Sequence, residues 1–124
     1  MKTILYINKT NEIRRNLINV VQSRLSGISI QTCHAIAELS HLLRQPLQKV
    51  AVIILFIEST NELEALNLMM PLFDNIRIIL ILPDMEKSTV SLCVALKPSF
   101  ITYAGADLLD IALVLEKIQK NNKT

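Results

Sequence analysis

Apolar and polar positions follow two patterns that alternate along the chain. Short runs of aliphatic and β-branched residues are followed by longer segments whose apolar side chains recur every three or four residues. The first pattern is typical of buried strands and the second of amphipathic helices. Strands are predicted over residues 2–7, 28–32, 50–57, 76–82 and 99–102. Helices are predicted over residues 11–24, 35–47, 63–73, 87–96 and 107–121.

The strand pattern at residues 50–57 is continuous, with no polar alternation, which indicates a central strand covered by helices on both faces. Strands that alternate with helices predict an α/β fold with right-handed crossovers and a doubly wound, five-stranded parallel sheet. Such sheets bind ligands outside the carboxyl ends of their strands, so functional residues are expected at that edge. The motif Ser59-Thr60-Asn61-Glu62 is a capping box, which predicts the start of the third helix.

Length and composition narrow the class of protein. With 124 residues, 51% of them hydrophobic and 19% charged, the chain is expected to form one globular domain over residues 1–124. A net charge of +2 indicates neither a nucleic-acid nor a membrane partner. The apolar runs are shorter than the roughly 20 residues that cross a bilayer, and the N-terminal run ends at Asn8, too early for a signal peptide. We therefore expect a cytoplasmic protein.

Residue types that carry catalysis or bind metals are sparse. Cys33 and Cys93 form no paired motif and are expected to be reduced thiols. His34 and His41 lie near Cys33 in the sequence, but no second Cys/His pair completes a tetrahedral metal site. The chain contains two distant glycines, from which neither G-x-G-x-x-G nor a P-loop can be written. We expect no enzymatic activity, no metal and no cofactor.

Four segments at the predicted strand ends carry a family resemblance. They are residues 4–14 (ILYINKTNEIR), 52–57 (VIILFI), 78–83 (IILILP) and 100–104 (FITYA). Together with the order of the elements, they resemble the receiver domain of bacterial response regulators over nearly the whole chain. The resemblance implies a flavodoxin-like fold of five strand–helix units and a role in two-component signal transduction.

The positions at which that family binds and transfers the phosphoryl group hold other residue types here. The magnesium-binding acidic pair, the phospho-acceptor aspartate, the Thr or Ser and the lysine are matched, in that order, by Asn8 and Lys9, Phe56, Leu82 and Tyr103. A phenyl ring cannot accept a phosphoryl group, and an amide beside an ammonium is a poor ligand set for magnesium. Phe100 matches the family's switch aromatic, but its hydroxyl partner is replaced by Leu82. The resemblance therefore implies a pseudo-receiver that is not phosphorylated.

Two charged residues at this edge leave alternatives open. Lys9 is either an ammonium group at the vacated metal position or a solvated side chain at a strand exit. Glu58 either imitates a permanent negative charge or is an exposed acidic residue at a helix start.

The fourth and fifth predicted helices carry more apolar residues than one buried face needs. In the fourth helix, Val90, Cys93 and Val94 form one stripe, and Leu92, Ala95 and Leu96 form another. In the fifth helix, Leu109 and Leu113 lie opposite the expected core stripe, which comprises Leu108, Ile111, Leu115 and Ile118. In receiver domains, the face formed by helix 4, strand 5 and helix 5 makes dimers and contacts output proteins. The candidate interface residues are Leu92, Leu96, Leu109 and Leu113.

Several interpretations remain open. The favoured one is a pseudo-receiver that binds an unidentified protein partner, with a homodimer as the specific hypothesis for that face. If the helices are rotated from this assignment, the extra leucines belong to the core instead. A second hypothesis is a small α/β enzyme or nucleotide-binding domain whose polar residues would be Asn8, Lys9, Glu58, Asp84 and Tyr103. A third is a purely structural or assembly subunit.

Overall fold

The computed structural model describes residues 1–8, 12–45 and 49–121. Its strands are β1 (Lys2–Ile7), β2 (Ser29–Cys33), β3 (Val52–Phe56), β4 (Arg77–Leu82) and β5 (Phe100–Tyr103). Its helices are α1 (Glu12–Arg24), α2 (Ile36–Leu43), α3 (Thr60–Leu68), α4 (Lys87–Cys93) and α5 (Leu108–Asn121). Two 3₁₀ segments, Met70–Phe73 and Val94–Leu96, follow α3 and α4.

The five strands form one parallel sheet in the order β2-β1-β3-β4-β5. The three inner strands are almost wholly buried, because helices cover both faces of the sheet, and their buried side chains are apolar except for Thr3 and the Tyr6 hydroxyl. The predicted doubly wound α/β fold of the flavodoxin-like type is confirmed.

Two apolar clusters lie on opposite faces of the sheet, as the two-residue side-chain period of a strand requires. One face packs against α1 and α5 through residues such as Leu17, Ile54 and Leu115. The other packs against α2, α3 and α4 through residues such as Leu55 and Leu63. No helix within the described ranges is long and apolar enough to span a membrane.

Helices α2 and α3 are shorter than the sequence predicts. Helix α2 ends at Leu43, with Arg44 as its C-cap, whereas the predicted end at Leu47 lies outside the described residues. Helix α3 ends at Leu68 and is followed by a 3₁₀ turn with Pro71 in its first positions. Proline lacks a backbone N–H and clashes with the preceding turn, so the α-helix cannot continue through it.

The second half of the predicted fourth helix also differs from expectation. The α-helical hydrogen bonding stops at Cys93, and Val94–Leu96 forms a 3₁₀ turn that ends at Lys97, which has a positive φ of 50°. Residues three apart lie one above the other in a 3₁₀ turn, which places Leu96 on the same side as the buried Cys93. The buried residues of this segment are Thr89, Cys93 and Leu96, whose four- and three-residue spacing places them on one face.

Candidate functional site

The strand register brings the ends of β1, β3 and β4 together at the carboxyl edge of the sheet. Ile7 is paired with Phe56, and Phe56 is paired with Ile81. Asn8 follows Ile7 directly and is exposed. Two of the positions that the resemblance singled out, Asn8 and Phe56, therefore lie side by side at this edge. Lys9, the other half of the replaced acidic pair, lies outside the described residues.

Phe56 is part of the hydrophobic core. Its side chain is only 4% exposed and belongs to the cluster on the α1 and α5 face, together with Ile7 and Ile81. The residue that the resemblance matches to the phospho-acceptor thus offers no polar atom, and its neighbours Ile7 and Ile81 are aliphatic. This end of β3 is fixed by a backbone hydrogen bond from Ile57 N to the carbonyl oxygen of Ile81, at 2.8 Å.

The other two replaced positions lie further along the same edge. Leu82 is completely buried in the cluster on the α2, α3 and α4 face, whereas the half-buried Phe100 packs against the opposite cluster. Tyr103 ends β5 and remains 46% exposed, with its ring lying over Gly105. Leu82 and Phe100 therefore lie on opposite faces of the sheet and cannot form a hydroxyl–aromatic pair.

A polar network that the sequence pattern does not predict links β1 to the start of α3. The Tyr6 hydroxyl donates a hydrogen bond to Oε2 of Glu62, with 2.5 Å between the oxygens, and Tyr6 is 1% exposed. The second oxygen of Glu62, Oε1, accepts a hydrogen bond from the backbone N–H of Glu58 at 3.0 Å. Burial, followed by the hydrogen bond to Glu62, raises the pKa of Tyr6 well above its ordinary value. One carboxylate thus holds both the β3–α3 loop and a buried tyrosine.

The predicted capping box is therefore present in altered form. Ser59 is the N-cap of α3 but makes no side-chain capping hydrogen bond, and Glu62 reaches the N–H of Glu58, one residue before the N-cap. Glu58 itself is half-buried at the end of this loop. The capping-box motif indicates a role for Glu62 at the start of α3. It does not indicate the hydrogen bond to Tyr6, because the two residues are 56 positions apart.

The residues considered as metal ligands lie in different environments. A ring nitrogen of His34, Nδ1, lies 3.1 Å from the carbonyl oxygen of Ile7, whereas Nε2 of His41 lies 3.2 Å from the side-chain nitrogen of Gln45 within the α2 region. Cys33 is a buried free thiol, and burial raises its pKa to about 12. Across the described part of the chain, no three His, Cys, Asp or Glu side chains converge on a common point suited to a metal ion. The residues at the edge do not fit the magnesium ion that receiver domains carry, because Asn8 supplies an amide and Phe56 a hydrocarbon ring.

The candidate interface residues divide into two groups. Leu109 and Leu113 are 37% and 43% exposed on the outer face of α5, as the helical pattern predicts. Leu92 is half-buried against the core. Leu96 is 4% exposed and belongs to the core itself, so its assignment to a docking surface is wrong. Val94, which follows the buried Cys93, is 68% exposed.

Comparison with known proteins identifies the fold. No family model and no curated protein sequence matches the chain.

Several solved structures do match the chain. A LuxR family DNA-binding response regulator from Silicibacter pomeroyi superposes with a TM-score of 0.76 at 14% identity, over 98% of this chain and 93% of that chain. A CheY-like response regulator receiver domain protein from Methanospirillum hungatei gives 0.75 at 12% identity, over 99% and 98%. A pilus assembly-related protein from Burkholderia pseudomallei gives 0.73 at 10% identity, over 97% and 90%. The chain therefore has the receiver fold.

Proposed function

We propose that this chain is a receiver-fold signalling module that does not accept a phosphoryl group and acts by binding a protein partner. The burial of Phe56 at the acceptor position is the observation that carries the proposal. Phosphoryl transfer needs a carboxylate that is open to solvent at the end of β3, and this chain has an aromatic ring packed between Ile7 and Ile81.

The surroundings of Phe56 support the same conclusion. A metal that neutralises phosphoryl oxygens needs hard oxygen ligands, and the residues that follow β1 are Asn8 and Lys9. The β3–α3 loop, which would have to admit the phosphoryl group, is held by the Glu62 carboxylate. Leu82 is paired with Tyr103 in the strand register and lies on the opposite face of the sheet from Phe100, so these residues offer no switch of the receiver type.

A protein partner, rather than a small molecule, suits the distribution of exposed side chains. The half-buried Asp84 carboxylate accepts a hydrogen bond from the N–H of Glu86 in its own loop, at 2.9 Å, and Tyr103 lies at the far end of the edge. In contrast, apolar side chains are exposed on the outer face of α5, at Leu109 and Leu113. Because the two leucines are four residues apart on one helix, they form adjacent apolar surface, which supports a protein contact there. The fold also occurs in a pilus assembly-related protein, so the fold alone does not assign signalling, and the proposal rests on these residues.

The proposal is tested by incubating the purified chain with magnesium and an acyl phosphate, followed by intact mass spectrometry. We expect the mass to stay unchanged under conditions in which a phosphorylatable receiver, run in parallel, gains one phosphoryl group. A stable adduct on this chain contradicts the proposal. The Glu58→Gln variant then shows whether Glu58 is the acceptor. Added nucleotides are expected to leave the melting temperature unchanged, and a saturable increase would favour a nucleotide-binding domain instead.

A further inference from the structure

A pocket of about 430 Å³ lies at the amino edge of the sheet, where the strands begin. Its walls come from the start of β1, the residues just before β3, the loop between α1 and β2, and the last turns of α5. This edge is opposite to the one that holds Asn8 and Phe56. A pocket of this volume is large enough for a small organic molecule.

The backbone groups around this pocket already have partners within the chain. The carbonyl oxygen of Ser26 accepts a hydrogen bond from Nε2 of Gln119 at 2.7 Å, and that of Gly27 accepts one from the nitrogen of Met1 at 2.7 Å. Ala51 uses both its N–H and its carbonyl oxygen in hydrogen bonds to the neighbouring strands. The polar groups that remain for a ligand are therefore mainly side-chain donors.

Two lysines give the pocket a positive charge. The half-buried Lys2 and the exposed Lys49 both line it, and they come from the starts of paired strands, which lie about 4.8 Å apart in a sheet. None of the described residues that line the pocket is acidic. Asp74 lines an adjacent hollow with Lys49, but these two described residues form no ion pair. The two ammonium groups repel each other, and an anion bound between them would remove that repulsion.

The number of charges favours a phosphate group over a carboxylate. A phosphomonoester carries about 1.5 to 2 negative charges at pH 7, which matches two ammonium groups, whereas a carboxylate carries one. Lysine binds phosphate as a compact point charge with three rotatable donors. Met1 and Ala51 add apolar surface to the same pocket, which suits the organic part of such a molecule.

We infer that this pocket binds a small phosphomonoester, with the phosphate held between Lys2 and Lys49. Binding is reversible and electrostatic, and rising ionic strength weakens it, because Lys49 is exposed to solvent. The phosphate belongs either to a soluble molecule or to a lipid headgroup, since the two share this chemistry. The site is independent of the proposed lack of phosphoryl transfer, because it lies at the edge opposite to Phe56.

Titration of the isotopically labelled chain with glycerol phosphate at constant ionic strength tests the site. We expect saturable backbone chemical-shift changes at Gly27 and Ala51 and none at Phe56. Lys2→Gln and Lys49→Gln should each weaken binding about tenfold, because each removes one charge-assisted contact with the phosphate.

Two further variants separate the pocket from general surface charge. Lys87→Gln removes an exposed positive charge at the start of α4, at the other edge of the sheet, and should leave the affinity unchanged. Asp74→Asn removes the acidic group nearest in the adjacent hollow and should strengthen binding about twofold. Circular dichroism of each variant establishes that it is folded.

Vesicles of phosphatidylcholine with and without phosphatidic acid distinguish the two sources of phosphate. Saturation by free glycerol phosphate supports a soluble ligand. Sedimentation with the phosphatidic acid vesicles alone, lost in Lys49→Gln, supports a lipid headgroup. The site is overturned if neither probe binds, if sodium acetate binds with the same affinity as glycerol phosphate, or if both lysine variants bind like the wild type. None of these results bears on phosphoryl transfer, which the mass measurement with acyl phosphate judges on its own.

Discussion

Removal of one hydroxyl group tests the network that links β1 to α3. The Tyr6→Phe variant keeps the buried ring but deletes the donor to Glu62, leaving that carboxylate with the N–H of Glu58. A hydrogen bond to a charged group contributes about 1.5–3 kcal/mol. Glu62 is half-buried, so water partly replaces the lost donor, and we expect a loss of about 1.5 kcal/mol in the free energy of unfolding.

The same variant should show a distinctive pH dependence. The folded state raises the pKa of Tyr6, so the hydroxyl holds its proton in the folded protein after the unfolded chain has released it at the ordinary value of 10.0. The stabilisation by Tyr6 is therefore fully present below pH 10 and falls by about 1.4 kcal/mol per pH unit above it. One pH unit above 10, this loss of about 1.4 kcal/mol nearly equals the stabilisation of about 1.5 kcal/mol that Tyr6→Phe removes. The wild type and Tyr6→Phe should therefore become equally stable near pH 11, since their other titrating groups are the same.

Urea unfolding followed by circular dichroism between pH 7 and 11 measures both effects. Tyr103→Phe is the matched control, since that ring is exposed, and its effect should stay within about 0.5 kcal/mol. The reasoning is refuted if Tyr6→Phe costs less than the control at pH 7. It is refuted equally if the difference between wild type and Tyr6→Phe stays constant up to pH 11.

Further variants test the assignment of core and surface. In urea titrations, Leu96→Ala should lower the free energy of unfolding by about 2–5 kcal/mol, and Leu109→Ala should lower it by less than about 1 kcal/mol. Similar losses for the two variants would contradict the reassignment of Leu96 to the core. Phe56→Asp should lower the free energy of unfolding by about 3 kcal/mol or more, because it creates a cavity and buries a carboxyl group. A variant as stable as the wild type would show that this position is open to water. Burial raises the pKa of Cys33 to about 12 and also raises the pKa of Cys93. At pH 8 both thiols should therefore react slowly with a thiol reagent until urea unfolds the chain. Rapid labelling of the native protein would contradict their burial.

The fold could be predicted from the sequence because its signals are local and strong. The unbroken apolar run at residues 50–57 is compatible with a central parallel strand, and β3 does lie at the centre of the sheet. The boundaries were less predictable where one residue type overrides a longer pattern, as Pro71 does at the end of α3. In α4, the apolar pattern offers two stripes and does not reveal where the helix tightens to 3₁₀ geometry. The buried face carries Thr89, Cys93 and Leu96, and a count of apolar residues leaves out Thr89.

The candidate site was predictable in position but not in its contacts. The resemblance placed Asn8 and Phe56 at one edge, and the strand register brings them together there. The hydrogen bond between Tyr6 and Glu62 joins residues far apart in sequence, and no periodicity encodes such a pair. A tyrosine within an apolar strand reads as a core residue, and only the packing of α3 against the sheet shows that its hydroxyl has a partner.

The most direct test of the central claim is a titration of the isotopically labelled chain, first with magnesium and then with beryllofluoride, which imitates a phosphoryl group, monitored by backbone chemical shifts. The proposed function predicts no saturable shift at Asn8, Phe56 or Glu58 and no change in sedimentation after either addition. A saturable, magnesium-dependent shift at these residues would contradict it, because it would mean that this edge of the sheet still binds a metal and a phosphoryl group.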